Sequence, residues 1–183
     1  MKIISLVENT TKSELKAKHG LSLYIETKKH KILFDLGPDK TLFENAVKRN
    51  IDISKVDTVI ISHGKDQFRH EQNLVIFENQ TALIMGCGHA GVINIMEEAK
   101  KYSPDLCVGG YHLFNPLTKK TVSTELLKDI ATELQKYKDT EFYTCHCTGE
   151  KAFDYLSHQM SNMHYISCGE SVEIQQMGTH PCN

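Results

Sequence analysis

Five times along the chain, an apolar run ends in small residues and is followed at once by a histidine or an aspartate. These stretches read KILF-Asp35-Leu-Gly, VIIS-His63-Gly, LIMGCG-His89-Ala-Gly, LCVGG-Tyr-His112 and FYTC-His146-Cys-Thr-Gly. Strand ends in layered α/β proteins gather at one edge of a sheet, where ligand sites form. The repetition therefore predicts that three or four histidines from separate strands converge on one site.

Apolar periodicity along the rest of the chain predicts about ten strands and about four helices. The predicted strands cover residues 2–7, 21–26, 31–35, 57–62, 73–77, 81–85, 105–109, 141–145, 163–168 and 171–175. The predicted helices cover residues 39–50, 91–101, 123–137 and 150–160, with Ser123 or Thr124 capping the third. Strands and helices alternate in the C-terminal two-thirds, which is typical of an α/β protein with strands buried between helical layers.

Composition narrows the class of function. The chain has 183 residues, of which 40% are hydrophobic and 24% charged, so it is expected to fold as one domain over 1–176, with a disordered tail at 177–183. Lys plus Arg (21) nearly balances Asp plus Glu (23), which argues against a nucleic-acid or membrane-surface partner. The N-terminal segment becomes polar after Val7, too early for a signal-peptide core, so a cytoplasmic protein is expected.

The histidines at the strand ends favour a metal site, because imidazole binds divalent metals well at neutral pH. A polar residue after a strand is also ordinary loop chemistry, so a structural role stays open for each one. Cys145-His146-Cys147 could supply soft zinc ligands, but no second cysteine pair completes a closed structural site. Cys87 and Cys145 are expected to pack as small residues. The histidines without the pattern are expected mostly at the surface: His19, His30, His70, His158, His164 and His180.

Two predicted helices begin with small or hydroxyl residues that could receive an anion. Gly91 opens one helix, and Thr148 and Gly149 open another. Helix N-termini expose N–H groups and a positive dipole end, which favour a phosphate or carboxylate of a substrate. Simple capping of the helix by Thr148 is the alternative interpretation.

The motifs in their order resemble the metallo-β-lactamase superfamily. They read LxLYIE…KILFDLGP, IDISKVDTVIISHG, HEQNLVI, GCGHAGVINI, GGYHL and HCTGEKA. GCGHAG, GGYHL and HCTG are more similar to one branch, the dihydropterin ribofuranosylaminobenzene-phosphate synthase-like metal-dependent hydrolases. The resemblance extends from about Met1 to Ile174. It implies an αββα sandwich with a metal site at one edge of the two sheets, where a metal-activated water hydrolyses the substrate.

The resemblance also implies roles for individual residues. His63, His89 and His146 match metal-ligand histidines of the family. Asp35 matches an aspartate that supports the metal site by hydrogen bonding. His112 matches a histidine for which substrate contact or proton transfer is expected.

The sequence departs from the family directly after Ser62-His63-Gly64. The family continues through the rest of an HxHxDH signature, whereas residues 65–72 here, KDQFRHEQ, resemble a later family segment. We interpret this as an internal deletion that removes two histidines and the aspartate that acts as general base. Asp66 or His70 could substitute, although both match the later segment better. A single divalent metal is therefore expected, most simply zinc, with iron, manganese or none as alternatives.

Three functional hypotheses follow from this reading. The first is a metal-dependent hydrolase of a small phosphorylated or heterocyclic substrate, with Asp66 and His112 as catalytic residues. The second is a pseudoenzyme that keeps the fold and binds a small ligand. In the third, sheet edges exposed by the deletion pair in a homodimer.

Overall fold

The computed structural model describes residues 1–64 and 71–173. Strands in these residues are β1 Lys2–Val7, β2 Ser22–Glu26, β3 Lys31–Phe34, β4 Thr58–Ile60, β5 Leu74–Phe77, β6 Thr81–Ile84, β7 Leu106–Gly109, β8 Phe114–Asn115, β9 Lys120–Thr121, β10 Glu141–Thr144, β11 Met163–Tyr165 and β12 Ser171–Glu173. The α-helices are α1 Thr41–Lys48, α2 Val92–Ala99, α3 Thr124–Leu134 and α4 Glu150–Gln159. Short 3₁₀ turns cover Ile53–Lys55, Lys100–Tyr102 and His146–Thr148. The chain is thus a mixed α/β protein, as its hydrophobic pattern predicts.

The first sheet has the strand order β12-β1-β2-β3-β4. Its pairs are antiparallel except β3 with β4, which run parallel. The predicted hairpin across residues 27–30 is confirmed, because β2 and β3 pair antiparallel with Tyr24 opposite Leu33. Parallel pairing of β3 and β4 brings Asp35 and His63, which follow these strands, to the same edge.

The second sheet has the order β11-β10-β7-β6-β5. Only β5 pairs antiparallel, with β6, while β6, β7, β10 and β11 are all parallel. The carboxyl ends of β6, β7 and β10 therefore lie together at one edge. Each of these strands runs into one of the predicted histidines, His89, His112 or His146.

Three buried clusters hold the sheets and helices together. One joins apolar residues of both sheets, such as Ile25 of β2 and Ile84 of β6. Another packs α2, α3 and α4 onto the second sheet, and the third packs α1 onto the first sheet. Both faces of the first sheet are covered at β1, which explains why this strand is buried at consecutive positions instead of alternating between buried and exposed.

Several element boundaries differ from the sequence prediction. The third helix ends at Leu134, not residue 137, and Ser123 is its N-cap, accepting from the Leu126 N–H at 3.3 Å. The hairpin of β8 and β9 was not predicted, because two-residue strands leave no hydrophobic period to detect. The proposed tail at 177–183 lies outside the described residues. In residues 1–64 and 71–173, every helix is too short or too polar to cross a lipid bilayer.

Candidate metal site

The structure brings three of the strand-end histidines, His63, His89 and His112, into one group of neighbouring rings. The ring centroids of His63 and His89 are 4.9 Å apart, and those of His89 and His112 are 4.2 Å apart. His146 lies nearby and is 7% exposed. Two of these residues, His112 and His146, have left-handed φ values of 52° and 51°, uncommon for a side chain other than glycine. Such a backbone persists only where its surroundings fix it.

Asp35 orients His63 through Ser62. The carboxylate of Asp35 accepts the Ser62 N–H at 2.8 Å and the Ser62 hydroxyl at 2.7 Å. The Ser62 Oγ lies 2.8 Å from Nδ1 of His63. Because the hydroxyl proton is given to Asp35, Oγ is left to accept from a protonated Nδ1. This tautomer presents the Nε2 lone pair of His63 for a metal.

Gly86 makes this chain of hydrogen bonds possible. A Cβ placed on Gly86 would come within 2.2 Å of the Ser62 hydroxyl and 2.5 Å of its Cβ. Any larger residue would displace Ser62 from Asp35 and His63. The close approach of Ser62 therefore requires a glycine at position 86, just after β6. This agrees with the small residues that follow the strands in the sequence.

Glu71 holds the loop that carries His89. Its two carboxylate oxygens accept the backbone N–H groups of Gly88 and His89, each at 2.7 Å. Gly88 has a φ of 68°, and a Cβ there would meet the carbonyl oxygen of Gly110 at 2.5 Å. The loop between β6 and α2 is thus tightly wound and fixed by one carboxylate.

Glu8 and Asn9 hold His146. The buried Glu8 carboxylate accepts the His146 N–H at 2.8 Å, and also accepts from Tyr165 and Thr10. Asn9 donates to the His146 carbonyl, and its Oδ1 lies 3.0 Å from the His146 Nδ1. With that amide orientation, Nδ1 is the protonated nitrogen, and Nε2 again keeps its lone pair.

Cys87 lies between these two sets of residues. The ligand atoms of His63, Cys87 and His89 all lie within 4.8 Å of one another, and so do those of Cys87, His146 and Cys147. The three predicted ligand histidines therefore form two groups that share the Cys87 sulfur. Sequence reasoning had assigned Cys87 to packing and had considered Cys147 as a zinc ligand only together with Cys145 and His146.

The two thiols of the site differ in their environment. Cys147 donates to the Cys87 carbonyl at 3.1 Å and accepts the His112 N–H at 3.3 Å. The neighbouring Cys147 thiol and the His146 and His63 imidazoles lower the pKa of Cys87. The pKa of Cys147 is raised by its hydrogen bond with Cys87 and by burial. Burial, followed by the charge of His89, lowers the pKa of His112.

The donors fit a divalent metal that accepts nitrogen and sulfur. Zinc bonds are about 2.0–2.1 Å to histidine and about 2.3 Å to cysteine, so tetrahedral ligand atoms lie about 3.4–3.8 Å apart. Ligand atoms within 4.8 Å of each other reach that spacing after small side-chain rotations. The Nδ1 atoms of His63 and His146 are already at hydrogen-bond distance from Ser62 and Asn9. Such a hydrogen bond, on the ring nitrogen that does not bind the metal, is what orients a metal-binding imidazole.

The predicted anion-binding residues have different surroundings. The buried Thr148 hydroxyl accepts the Tyr111 N–H at 2.9 Å and contacts the Thr144 hydroxyl, so it does not cap α4. The helix N-cap is Gly149, and Gly91 occupies the same place at α2, where its N–H donates to the Gly88 carbonyl. Ligand contacts by these three residues stay predictions. Asp66 and His70 lie outside the described residues.

Sequence reasoning missed Glu8, Asn9 and Glu71, although a signal for two of them was present. The first apolar run, KIISLV, is followed directly by Glu8 and Asn9, which is the same pattern of a strand and then a polar residue. His19, expected at the surface, is exposed, but its ring centroid lies 5.0 Å from that of His146.

A cavity of about 300 Å³ adjoins His146. It lies between the loop after β1, the β8–β9 hairpin and the start of α4. Its lining residues include Asn9, Lys119, Gly149, Glu150 and Lys151. The cavity is large enough for a small organic substrate and opens directly onto a candidate metal ligand.

A comparison with known sequences finds a relative for half of the chain. No family model matches the chain. An uncharacterised protein of Methanocaldococcus jannaschii, MJ0448, is 39% identical over 93 residues, which is 50% of this chain and 33% of that protein. The chain thus matches only about a third of that relative's length.

Two solved structures share the architecture. Tm1679, described as a metal-dependent hydrolase of the β-lactamase superfamily, superposes with a TM-score of 0.75 over 96% of this chain and 100% of its own, at 18% identity. An isothiocyanate hydrolase from Delia radicum gut bacteria superposes with a TM-score of 0.54 over 95% of this chain and 99% of its own, at 11% identity. The chain therefore has a fold found in metal-dependent hydrolases of the β-lactamase superfamily.

Proposed function

We propose that the protein is a metal-dependent hydrolase of the metallo-β-lactamase superfamily, with His63, His89 and His146 as metal ligands. The observation that carries this proposal is the orientation of His63 and His146. Each has Nδ1 at hydrogen-bond distance from a protein oxygen, which is the arrangement that orients metal-binding imidazoles. The similarity in fold to Tm1679 and the three buried clusters support the αββα arrangement that this proposal assumes.

When bound, a divalent metal would lower the pKa of a water and polarise the scissile group. The residues of the chain would orient the metal ligands and transfer protons. Asp35, acting through Ser62, fixes the tautomer and orientation of His63. His112 lies beside His89, and partial burial, followed by the charge of His89, lowers its pKa. Its imidazole is placed to accept a proton from the water or to give one to the leaving group.

A small phosphorylated substrate is the class that the cavity beside His146 favours. Lys119 and Lys151 both line it and offer two positive charges, against one carboxylate from Glu150. The N-terminus of α4 at Gly149 adds a positive dipole end to the same wall. A neutral heterocycle would gain less from these charges, so we rank it second.

The test combines metal analysis with activity. We expect purified protein to carry about one equivalent of zinc, iron or manganese, and to hydrolyse a phosphoester or lactone panel only with metal present. His146→Ala should lose the metal and at least about 100-fold of the activity. His158→Ala, which alters an exposed histidine of α4, should change neither. Protein that carries no metal and gains no activity when metal is added would contradict the proposal.

A pseudoenzyme is the second candidate, favoured by the departure from the family sequence after Gly64. In this case inorganic phosphate or a phosphorylated compound would raise the melting temperature without being turned over. A turnover rate that depends on both His63 and His89 would rule this candidate out.

Homodimer formation is a separate proposal. It is supported by apolar side chains at the edge strands β4 and β5, where Val59 is 52% exposed and Phe77 is 62% exposed. Exposed edges with apolar residues tend to pair with another chain. Gel filtration at several concentrations tests this, and a monomer at every concentration would contradict it.

A further inference from the structure

Cys87 occupies the central position of the candidate site. Its sulfur is the atom common to both groups of close ligand atoms, with His63 and His89 on one side and His146 and Cys147 on the other. The loop that carries it is held in place by the Glu71 carboxylate, which accepts from Gly88 and His89. The spacing of Cys87 and His89 along this loop brings sulfur and imidazole to the same side.

Other cysteines near the site already have different contacts. The Cys147 thiol donates to the Cys87 carbonyl and accepts from the His112 N–H. Cys145 is fully buried among apolar residues of the two sheets. Cys87 is only partly buried, whereas the other cysteines of residues 1–64 and 71–173 are buried. Of the sulfurs near the histidines, Cys87 is therefore the one placed to meet an ion.

We propose that the Cys87 sulfur is a metal ligand, because it lies within reach of the ligand atoms of both groups. This inference rests on the metal site of the proposed function and adds one sulfur–metal bond to it. A thiolate donor selects zinc over manganese, because soft sulfur ligands suit zinc whereas manganese prefers oxygen. Among the metals that the sequence leaves open, zinc is then the one that the site should retain.

Cobalt reports such a bond directly, since a thiolate bound to Co²⁺ produces a strong charge-transfer absorption in the near ultraviolet. We expect the Co²⁺-loaded protein, kept reduced, to show this absorption at one equivalent of metal. Cys87→Ser should abolish it. Cys107→Ala, which alters a buried cysteine of β7, should keep it. In competition, the preference for zinc over manganese should fall at least about tenfold in Cys87→Ser.

A measurement on the unaltered protein covers the case in which Cys87→Ser fails to fold. Alkylation of Cys87 by iodoacetamide, followed by mass spectrometry of the peptides, should be slowed at least about tenfold by one equivalent of zinc. Unchanged labelling of Cys87 in protein with stoichiometric zinc would overturn the inference and leave the histidine site intact. Persistence of the cobalt–thiolate absorption in folded Cys87→Ser would overturn it as well. Failure to bind any metal would instead overturn the proposed function, and this inference with it.

Discussion

The two sides of the candidate site are built in different ways. On one side, His146 is fixed by Glu8 and Asn9, residues more than 130 positions away in the sequence, and the carboxylate that receives its N–H is fully buried. On the other side, His63 is fixed by its neighbour Ser62 and by Asp35, which is only partly buried. We call these the His146 side and the His63 side.

Because of this difference, we expect changes on the two sides to affect different properties of the protein. The Glu8 carboxylate connects the end of β1 to His146 and Tyr165, so its hydrogen bonds hold the two sheets together as well as the site. The Asp35–Ser62–His63 chain lies at the edge and mainly sets the tautomer of one imidazole. Changes on the His146 side should therefore cost folding free energy, and changes on the His63 side should mainly cost metal affinity.

The largest effect is expected for Glu8→Ala. This change leaves the His146 N–H, the Tyr165 hydroxyl and the Thr10 N–H without their acceptor in a buried region. We expect the free energy of unfolding to fall by about 3–5 kcal/mol, measured by urea denaturation.

Glu14→Ala, at an exposed position, is the control and should change stability by less than about 0.5 kcal/mol. A loss below about 1 kcal/mol for Glu8→Ala would remove the distinction between the two sides, because the buried carboxylate would then add no more than a surface contact.

Gly86→Ala should have the next largest effect. The added methyl group would displace Ser62 and break its hydrogen bonds with Asp35 and His63. We expect a loss of about 1–3 kcal/mol in stability together with a weaker metal affinity, measured by denaturation and by metal titration.

Gly64→Ala is a matched control on the same side. Apart from its chain neighbours, no atom of residues 1–64 and 71–173 lies within 4 Å of a Cβ placed there, and its φ is not left-handed. Equal losses of stability and metal affinity in the two variants would show that any added methyl group near His63 is harmful. Displacement of Ser62 would then not explain the effect of Gly86→Ala.

Asp35→Asn should affect metal binding with little change in stability. Asparagine tolerates the left-handed φ of 59° at this position. Its amide would donate to Ser62, so that the Ser62 hydroxyl turns its proton to Nδ1 of His63 and the other tautomer forms. We expect metal affinity to fall about 10–100-fold by isothermal titration. An unchanged affinity would mean that Asp35 does not set the His63 tautomer.

The smallest effect is expected at the cavity on the His146 side. Lys119→Ala and Lys151→Ala each remove one positive charge from its wall. Each should raise the KM for a phosphorylated substrate only a few-fold, since exposed charges contribute about 0.2–1 kcal/mol. Lys136→Ala, distant from this cavity, is the control. A neutral substrate that is equally sensitive to Lys119→Ala would argue against a phosphorylated substrate.

Much of the fold could be predicted from the sequence. Apolar runs of four to six residues gave the main strands of both sheets, and helical spacing gave α1 to α4. The strand-end pattern predicted that His63, His89, His112 and His146 converge; the rings of the first three lie beside one another, and His146 lies beside Cys87. The residues that hold these histidines were harder to find. Glu71 lies before β5 and Cys87 between two glycines, where no periodicity marks them.

The sequence by itself determined the main strands of the two sheets and which side chains follow them, because hydrophobic period and strand-end position are local properties of the chain. Only the tertiary structure decided that Glu8 and Asn9 hold His146, and that the Cys87 sulfur belongs to two groups of close ligand atoms. These contacts connect residues separated by up to 138 positions. Their geometry depends on how two sheets pack against each other, which local pattern does not specify.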